Sequence, residues 1–156
     1  MMTTPVARAQ MLIRRPMVEV FEAFVDPTIT SRFWFSRGSR RLESGKQVRW
    51  DWEMYGVGTN VNVKAVESNR RILIEWDVPD DPTEVEWSFE SKGNDRALVT
   101  VENRGFRGSA DEIVAKALDS TGGFHLVLAG AKIFLEHSIE PNFVIDRAPD
   151  TAVAQE

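Results

Sequence analysis

Between Gly38 and Arg104 the sequence alternates apolar and polar side chains with a period of two. Successive side chains of a β-strand point to opposite faces of the sheet, so the pattern predicts a meander of strands with one apolar and one polar face. The apolar face is predicted to carry Val48, Trp50, Trp52 and Met54, then Val57, Thr59, Val61, Val63 and Ala65, then Ile72, Ile74 and Trp76, then Val85, Trp87 and Phe89, and finally Ala97, Val99, Val101 and Asn103.

Turn-forming residues separate these strands at Ser68-Asn69, at residues 79–82 and at Gly93-Asn94. Connections this short join neighbouring antiparallel strands. A sheet with tryptophans on one face and glutamates on the other is typical of an antiparallel sheet with one solvated side. Glu84 and Glu86 fall on the polar face, so we expect them to be solvated rather than to flank a cleft as a catalytic pair.

Two short helices are predicted between a first strand, Ala7 to Ile13, and the meander. Pro16 suits the first helical position, because its missing N–H would have no partner there, and this helix runs to about Val25. Asp26-Pro27 then restarts the chain as a second short helix that reaches Phe33.

A long C-terminal helix is predicted to cover the apolar face of the sheet. Ser109 and Glu112 form a capping-box pattern, which places the start of the helix near Ala110. From Phe124 to Leu135 the helix is apolar nearly all round, which indicates burial on several sides or a homodimer contact. Gly122-Gly123 predicts a kink or a close approach to the sheet.

The domain is predicted to span residues 1–149, with a frayed tail over 150–156. Pro141 is predicted to close the helical segment. The apolar residues that follow, within 142–147, are expected to pack back on the domain.

Composition excludes several classes of function. The chain has 24 acidic and 19 basic side chains, and a net charge of −5 opposes the phosphate attraction on which nucleic-acid binding depends. It has no cysteine, no signal-peptide core and no apolar run long enough for membrane insertion, so we expect a cytoplasmic protein. Four arginines, Arg32, Arg37, Arg40 and Arg41, either steer an anionic group or form a solvated strand edge.

The sequence offers few groups for catalysis, and we assign no catalytic residue, metal or cofactor. Its two histidines, His125 and His137, are twelve residues apart on the last helix, which separates them by about 18 Å. Glycine motifs for phosphates or dinucleotides are absent. His125 either contacts a ligand or forms a hydrogen bond with a neighbouring strand.

The wide aromatic side chains on the inner face either fill a core or line a cavity for an apolar small molecule. Polar groups of the same phase would orient the ligand. The candidate ligand-binding residues are Trp50, Trp52, Met54, Thr59, Val61, Trp76, Trp87, Phe89, Asn103, Phe124, His125 and Leu128.

Short motifs occur in a characteristic order along the chain. They are Asp26-Pro27 followed by Phe33-Trp34, the strand from Gly58 leading to Arg71-Ile72-Leu73-Ile74-Glu75-Trp76, Asn103-Arg104-Gly105-Phe106, and Gly123-Phe124. In this order they resemble the SRPBCC (START and birch-pollen-allergen-like) superfamily, in particular the family named after the activator of heat-shock-protein ATPase. The chain departs from the family at Phe124, where a tryptophan is usual, and at Ser44-Gly45, which replaces a glycine pair.

The resemblance implies an α+β helix-grip fold, in which a curved antiparallel sheet wraps around the C-terminal helix. It also implies binding of a hydrophobic small molecule, lipid-like or polyketide-like, in a stress-related setting. A co-chaperone that regulates a heat-shock protein ATPase, and a polyketide cyclase or aromatase, are the alternatives.

Overall fold

The computed structural model describes residues 4–151. The chain begins with strand β1 (Ala7–Ile13), helix α1 (Met17–Val25) and the single-turn helix α2 (Pro27–Thr30). The Asp26 carboxylate accepts a hydrogen bond from the backbone N–H of Thr28, so Asp26 caps α2 while Pro27 occupies its first position. Helix α1 begins one residue after Pro16, so Pro16 precedes the helix instead of occupying its first position. Helix α2 is shorter than predicted, because residues 31–33 form a turn.

Six further strands complete one antiparallel sheet. They are β2 (Arg37–Gly38), β3 (Gln47–Trp52), β4 (Val57–Glu67), β5 (Arg71–Trp76), β6 (Thr83–Ser91) and β7 (Ala97–Arg104). The spatial order is β1-β7-β6-β5-β4-β3-β2, so the first strand pairs with the last and the meander follows chain order. The predicted α+β class and helix-grip architecture are confirmed.

Two details of the predicted apolar face are wrong. Strand β3 ends at Trp52, and Met54 lies in a 3₁₀ turn, Glu53–Tyr55, so it does not continue the inward phase. In β4 the register shifts between Val63 and Ala65, and Val66 instead of Ala65 pairs with the buried Ile72. The bulge adds one residue to β4 and reverses the phase beyond it.

The polar face of the sheet is a network of ion pairs, as expected for a solvated face. The Lys64 ammonium lies 2.8 Å from Glu84 and 3.7 Å from Glu75, two glutamates that are directly opposite each other on β6 and β5. The Arg104 guanidinium lies within 3.4 Å of both Glu84 and Glu86. These cations offset the like-charge repulsion that paired glutamates would otherwise create.

Helix α3 (Ala110–His137) packs against the inner face of the sheet. Its capping box is confirmed, because Ser109 Oγ accepts the Glu112 N–H at 3.1 Å and the Glu112 carboxylate accepts the Ser109 N–H at 3.2 Å. The backbone N–H of Ser109, with a smaller contribution from the Ser109 side chain, lowers the pKa of the Glu112 carboxyl group. The helix ends at His137, four residues before Pro141, with Ser138 in the left-handed conformation.

The predicted close approach of the glycine pair to the sheet is wrong. Helix α3 continues through Gly122 and Gly123, and a Cβ on Gly123 would lie 2.9 Å from the Arg147 guanidinium. That arginine ends helix α4 (Phe143–Arg147), which follows α3 and packs Val144 against the core as predicted. A final 3₁₀ turn spans Pro149–Thr151, and the rest of the predicted tail lies outside the described residues.

Candidate ligand-binding cavity

A cavity of about 620 Å³ lies at one end of the sheet, beneath helices α3 and α4. Its floor is formed by the ends of strands β3, β5 and β7 and by the starts of β4 and β6. Its lining residues are Trp34, Trp52, Tyr55, Val57, Trp76, Asp77, Asp81, Thr83, Asn103, Phe106, Lys116, Asp119, Ser120, Gly123, Phe124, Leu126, Val127, Val144, Arg147, Ala148 and Thr151.

Trp34 is the centre of the aromatic wall. It follows α2, and its ring centroid lies 5.0–6.0 Å from those of all four other tryptophans and 5.8 Å from that of Phe124. On the cavity side, Trp76 and Phe124 stack with centroids 5.7 Å apart and an interplanar angle of 28°. The aromatic wall therefore continues from strand β5 to helix α3 and is closely packed on itself.

A polar cluster interrupts this wall. Asn103, which is 2% exposed, donates from Nδ2 to Thr83 Oγ1 at 2.9 Å and to the Glu84 carbonyl at 2.7 Å. Ser120 Oγ on α3 donates to Asn103 Oδ1 at 2.8 Å. Trp76 Nε1 donates to the same Thr83 hydroxyl at 2.8 Å. Every polar atom of the Asn103 amide is therefore paired, and the hydroxyl groups of Thr83 and Ser120 remain as the groups nearest to a ligand.

Charged side chains surround the cavity mouth in opposite pairs. Arg147 lies 3.1 Å from Asp119, and Asp81 lies 3.5 Å from Arg107 and 3.7 Å from Lys116. The Lys116 ammonium also donates to the Arg107 carbonyl at 2.7 Å. The mouth therefore presents compensated charge instead of a field of one sign.

Asp77 is held apart from these pairs by Thr59. Thr59 Oγ1 donates to the Asp77 carboxylate at 2.9 Å and accepts the Asp77 N–H at 2.8 Å. The two hydrogen bonds fix Asp77 in the left-handed region at φ 60°, an uncommon conformation for a residue other than glycine. The Thr59 hydroxyl is thus used to shape the loop at the mouth.

The roof of the cavity is helix α4. The Tyr55 hydroxyl donates to the Val144 carbonyl, and the Arg147 guanidinium donates to the Asp119 carbonyl at 3.3 Å as well as to its carboxylate. Gly123 leaves the space that this guanidinium occupies. The roof is therefore attached by polar contacts to the β3–β4 turn and to α3.

Only some of the candidate ligand-binding residues line the cavity. Trp52, Trp76, Asn103 and Phe124 line the cavity. The structure places Trp50, Val61, Trp87, Phe89 and Leu128 in the closed core and Thr59 against Asp77. Met54 is in the turn after β3, and His125 is exposed, with its Nδ1 2.8 Å from the Thr121 carbonyl one turn earlier instead of near a strand.

Several lining residues could have been found from the same patterns. Thr83 lies two residues before Val85 in the alternation, and Ser120 lies one helical turn before Phe124. Tyr55 and Arg147 carry no such signal, because their position depends on how a turn and the last helix fold over each other.

The basic segment is largely neutralised, since Arg32, Arg40 and Arg41 each pair with a glutamate.

The part of the chain that the structure describes contains neither a helix that could span a membrane nor a group of side chains that could hold a metal ion. In residues 4–151 no helix is both long and apolar enough to span a membrane. Within that same range no three or more histidine, aspartate or glutamate side chains are grouped so that they could hold a metal ion.

A curved antiparallel sheet around a long C-terminal helix, with a cavity between them, defines a helix-grip protein of the SRPBCC type. The chain belongs to the family described as Activator of Hsp90 ATPase homolog 1-like protein, whose model matches residues 14–130. The resemblance inferred from the ordered motifs is confirmed.

Solved structures share this fold. A protein from Staphylococcus saprophyticus is 30% identical, with a TM-score of 0.74, and the match covers 86% of this chain and 94% of that one. The Aha1 dimer from Colwellia psychrerythraea is 15% identical, with a TM-score of 0.72 and coverage of 85% and 96%. DynU16, from the dynemicin biosynthetic locus, is 19% identical, with a TM-score of 0.72 and coverage of 88% of this chain and 49% of that one. Among curated proteins no relative matches.

Proposed function

We propose that the protein binds a hydrophobic small molecule, lipid-like or polyketide-like, in the cavity between the sheet and helix α3. The observation that supports this is a volume of about 620 Å³ lined by aromatic rings with only a few convergent polar groups. Small-molecule sites are typically cavities of about 300–1,000 Å³ with this composition.

We propose binding without turnover, because the titratable groups of the described lining are already engaged. Asp81 and Asp119 pair with cations, Asp77 accepts from Thr59, and the Tyr55 hydroxyl donates to a backbone carbonyl. A general base must be within hydrogen-bond reach of the proton that it removes. The cyclase or aromatase alternative would need one of these groups to leave its partner.

Native mass spectrometry of protein purified without added ligand tests the proposal. We expect a reproducible adduct that organic extraction removes. Binding of the neutral dye N-phenyl-1-naphthylamine then locates the site. Ser120→Phe should abolish dye binding by filling the cavity, whereas Leu118→Phe, on an exposed position of the same helix, should leave it unchanged. Equal dye affinity in both variants would remove the cavity as the site.

The family description favours a second candidate, a co-chaperone-like regulator of a heat-shock protein ATPase. The acidic outer strands and the segment 37–41 are the surfaces that such a partner would contact. This candidate ranks second because most of those charges already pair within the chain. Stimulation of a purified Hsp90 ATPase by the protein would support it, and unchanged ATPase activity at a large molar excess would exclude it.

A further inference from the structure

The hydroxyl of Thr83 is in an unusual hydrogen-bonding position. It accepts from Trp76 Nε1 at 2.8 Å and from Asn103 Nδ2 at 2.9 Å. Both partners are donors only, and a hydroxyl group has two acceptor lone pairs and one proton. Its acceptor capacity is therefore filled, and the proton donates to no other residue within 4–151.

The donor role of Asn103 is fixed by its surroundings. Its Nδ2 also lies 2.7 Å from the Glu84 carbonyl oxygen, which can only accept. Exchanging the amide oxygen and nitrogen would place two acceptors against each other at that distance, so Oδ1 must face Ser120. Ser120 Oγ consequently donates to Oδ1, and these two hydrogen bonds run in one direction, from Ser120 to Asn103 and from Asn103 to Thr83.

The direction of this chain strengthens the last donor. A hydrogen bond accepted by an amide oxygen polarises the amide N–H, and a hydroxyl that accepts two hydrogen bonds becomes a better donor. Thr83 is 8% exposed and is one of the residues that line the cavity. Because a buried O–H is costly when it has no acceptor, a ligand oxygen that accepts from Thr83 would be bound favourably.

We propose that the Thr83 hydroxyl recognises a keto oxygen of a neutral, ring-bearing ligand, with Asn103 and Ser120 as positioning residues. This inference rests on the proposed function of the cavity. A neutral oxygen fits because the cavity cations Lys116 and Arg147 are engaged with Asp81 and Asp119, which leaves a carboxylate without a counter-ion. A ring fits because the lining next to Thr83 is aromatic: Trp76 donates its N–H to Thr83 and stacks on Phe124, and both rings line the same cavity.

Two probes of nearly equal shape test the inference, 2-acetylnaphthalene and 2-ethylnaphthalene, which differ by one carbonyl oxygen. Their affinities are measured by quenching of tryptophan fluorescence. One neutral hydrogen bond predicts a preference of about two- to tenfold for the acetyl compound. Thr83→Val should remove this preference while retaining binding of the ethyl compound, and Thr83→Ser should restore it.

Thr30→Val is the matched control. Thr30 is also a buried threonine, but it does not line the cavity and its hydroxyl donates to the Ala23 carbonyl, so its replacement should leave the acetyl preference unchanged. A preference that survives in Thr83→Val, or disappears in Thr30→Val, would overturn the assignment to Thr83.

A measurement on the unmodified protein covers the case in which Thr83→Val does not fold, since that change leaves two donors unpaired. The infrared C=O stretch of bound, isotope-labelled 2-acetylnaphthalene should fall below its frequency in an apolar solvent. An unshifted stretch would overturn the inference. Equal affinity for the two probes would overturn only the inference about Thr83. If neither probe binds, the proposed function of the cavity is overturned as well.

Discussion

Trp50 and Trp52 offer a test of where the core ends and the cavity begins. They are two residues apart on the same face of β3. Trp50 is 2% exposed and stacks on Phe35 with centroids 4.9 Å apart, whereas Trp52 is partly buried and lines the cavity. The same substitution in both positions therefore compares a packed indole with one that borders open space.

The expected costs differ because only one of the two indoles is fully packed. Trp50→Ala removes a fully packed side chain and should lower the unfolding free energy by about 3–5 kcal/mol. Trp52 makes two edge contacts, with Trp34 at 5.9 Å and with Phe35 at 6.2 Å, and such contacts contribute about 0.5–1.5 kcal/mol each in addition to the buried area. Because Trp52 is only partly buried and contact with empty space contributes little dispersion energy, Trp52→Ala should cost less than about 3 kcal/mol.

Urea denaturation gives the two costs, and titration with N-phenyl-1-naphthylamine gives the effect on the cavity. We expect Trp52→Ala to remain folded and to change dye affinity severalfold. Trp50→Ala should lose far more stability, and Trp50→Phe supplies the comparison if the alanine variant does not fold. A loss of about 3–5 kcal/mol in Trp52→Ala with unchanged dye affinity would show that Trp52 is ordinary core and would refute the reasoning.

Two further predictions concern the surface. The Lys64 hydrogen bond, opposed by burial, holds the pKa of Glu84 below its ordinary 4.5, so the stabilising effect of this carboxylate is present above about pH 4.5 and is lost as the pH falls through the lower folded-state pKa. Because the Lys64 and Glu84 side chains are both about one-third exposed or more, we expect Glu84→Gln to lower the unfolding free energy by less than about 1 kcal/mol at neutral pH. Urea titrations below pH 4.5 should show that this variant loses stability less steeply than the unmodified protein as the pH falls. The same slope in both proteins would contradict the prediction. The second prediction concerns the homodimer: Val114 and Leu118 are the large apolar side chains of α3 that are exposed, so Leu118→Glu should shift sedimentation toward the monomer. An unmodified protein that stays monomeric over about a hundredfold concentration range would exclude the dimer.

The prediction of the sheet succeeded where burial alone sets the pattern. Residues from Val48 to Val101 alternate because one face of each strand is dry, and a period of two reports that directly. The pattern cannot report a local change of register, so it predicts the wrong face for Ala65, which lies beyond the bulge at Val63. It also cannot show where a strand ends, so it extends β3 to Met54.

The predicted homodimer surface shows a similar limit. The apolar circumference of α3 between Phe124 and Leu135 predicts more apolar surface than one sheet can cover. In the structure Phe33 packs against Gly130 and lies 6.5 Å from Phe134 between ring centroids, and Pro141 packs on the same side of Gly130. Segments that precede the meander and that follow α3 therefore cover this stretch, and the exposed apolar surface of α3 lies earlier, at Leu118, which is 69% exposed.

The floor and the roof of the cavity differ in how they are stabilised, and this difference explains which site residues the sequence could predict. The floor and the adjoining face of α3 form a packed aromatic cluster, so Trp52, Trp76 and Phe124 carry the periodicity of buried residues. The roof, α4, contains no fully buried residue and is attached mainly through the Tyr55 hydroxyl and the pairing of Arg147 with Asp119. A hydrogen bond between a side chain and a backbone carbonyl 89 residues away leaves no periodic pattern in the sequence. Segments with few buried apolar contacts are also those that open at the lowest free energy. The part of the site that periodicity cannot predict is therefore the part through which a ligand would reach the cavity with the least disturbance of the core.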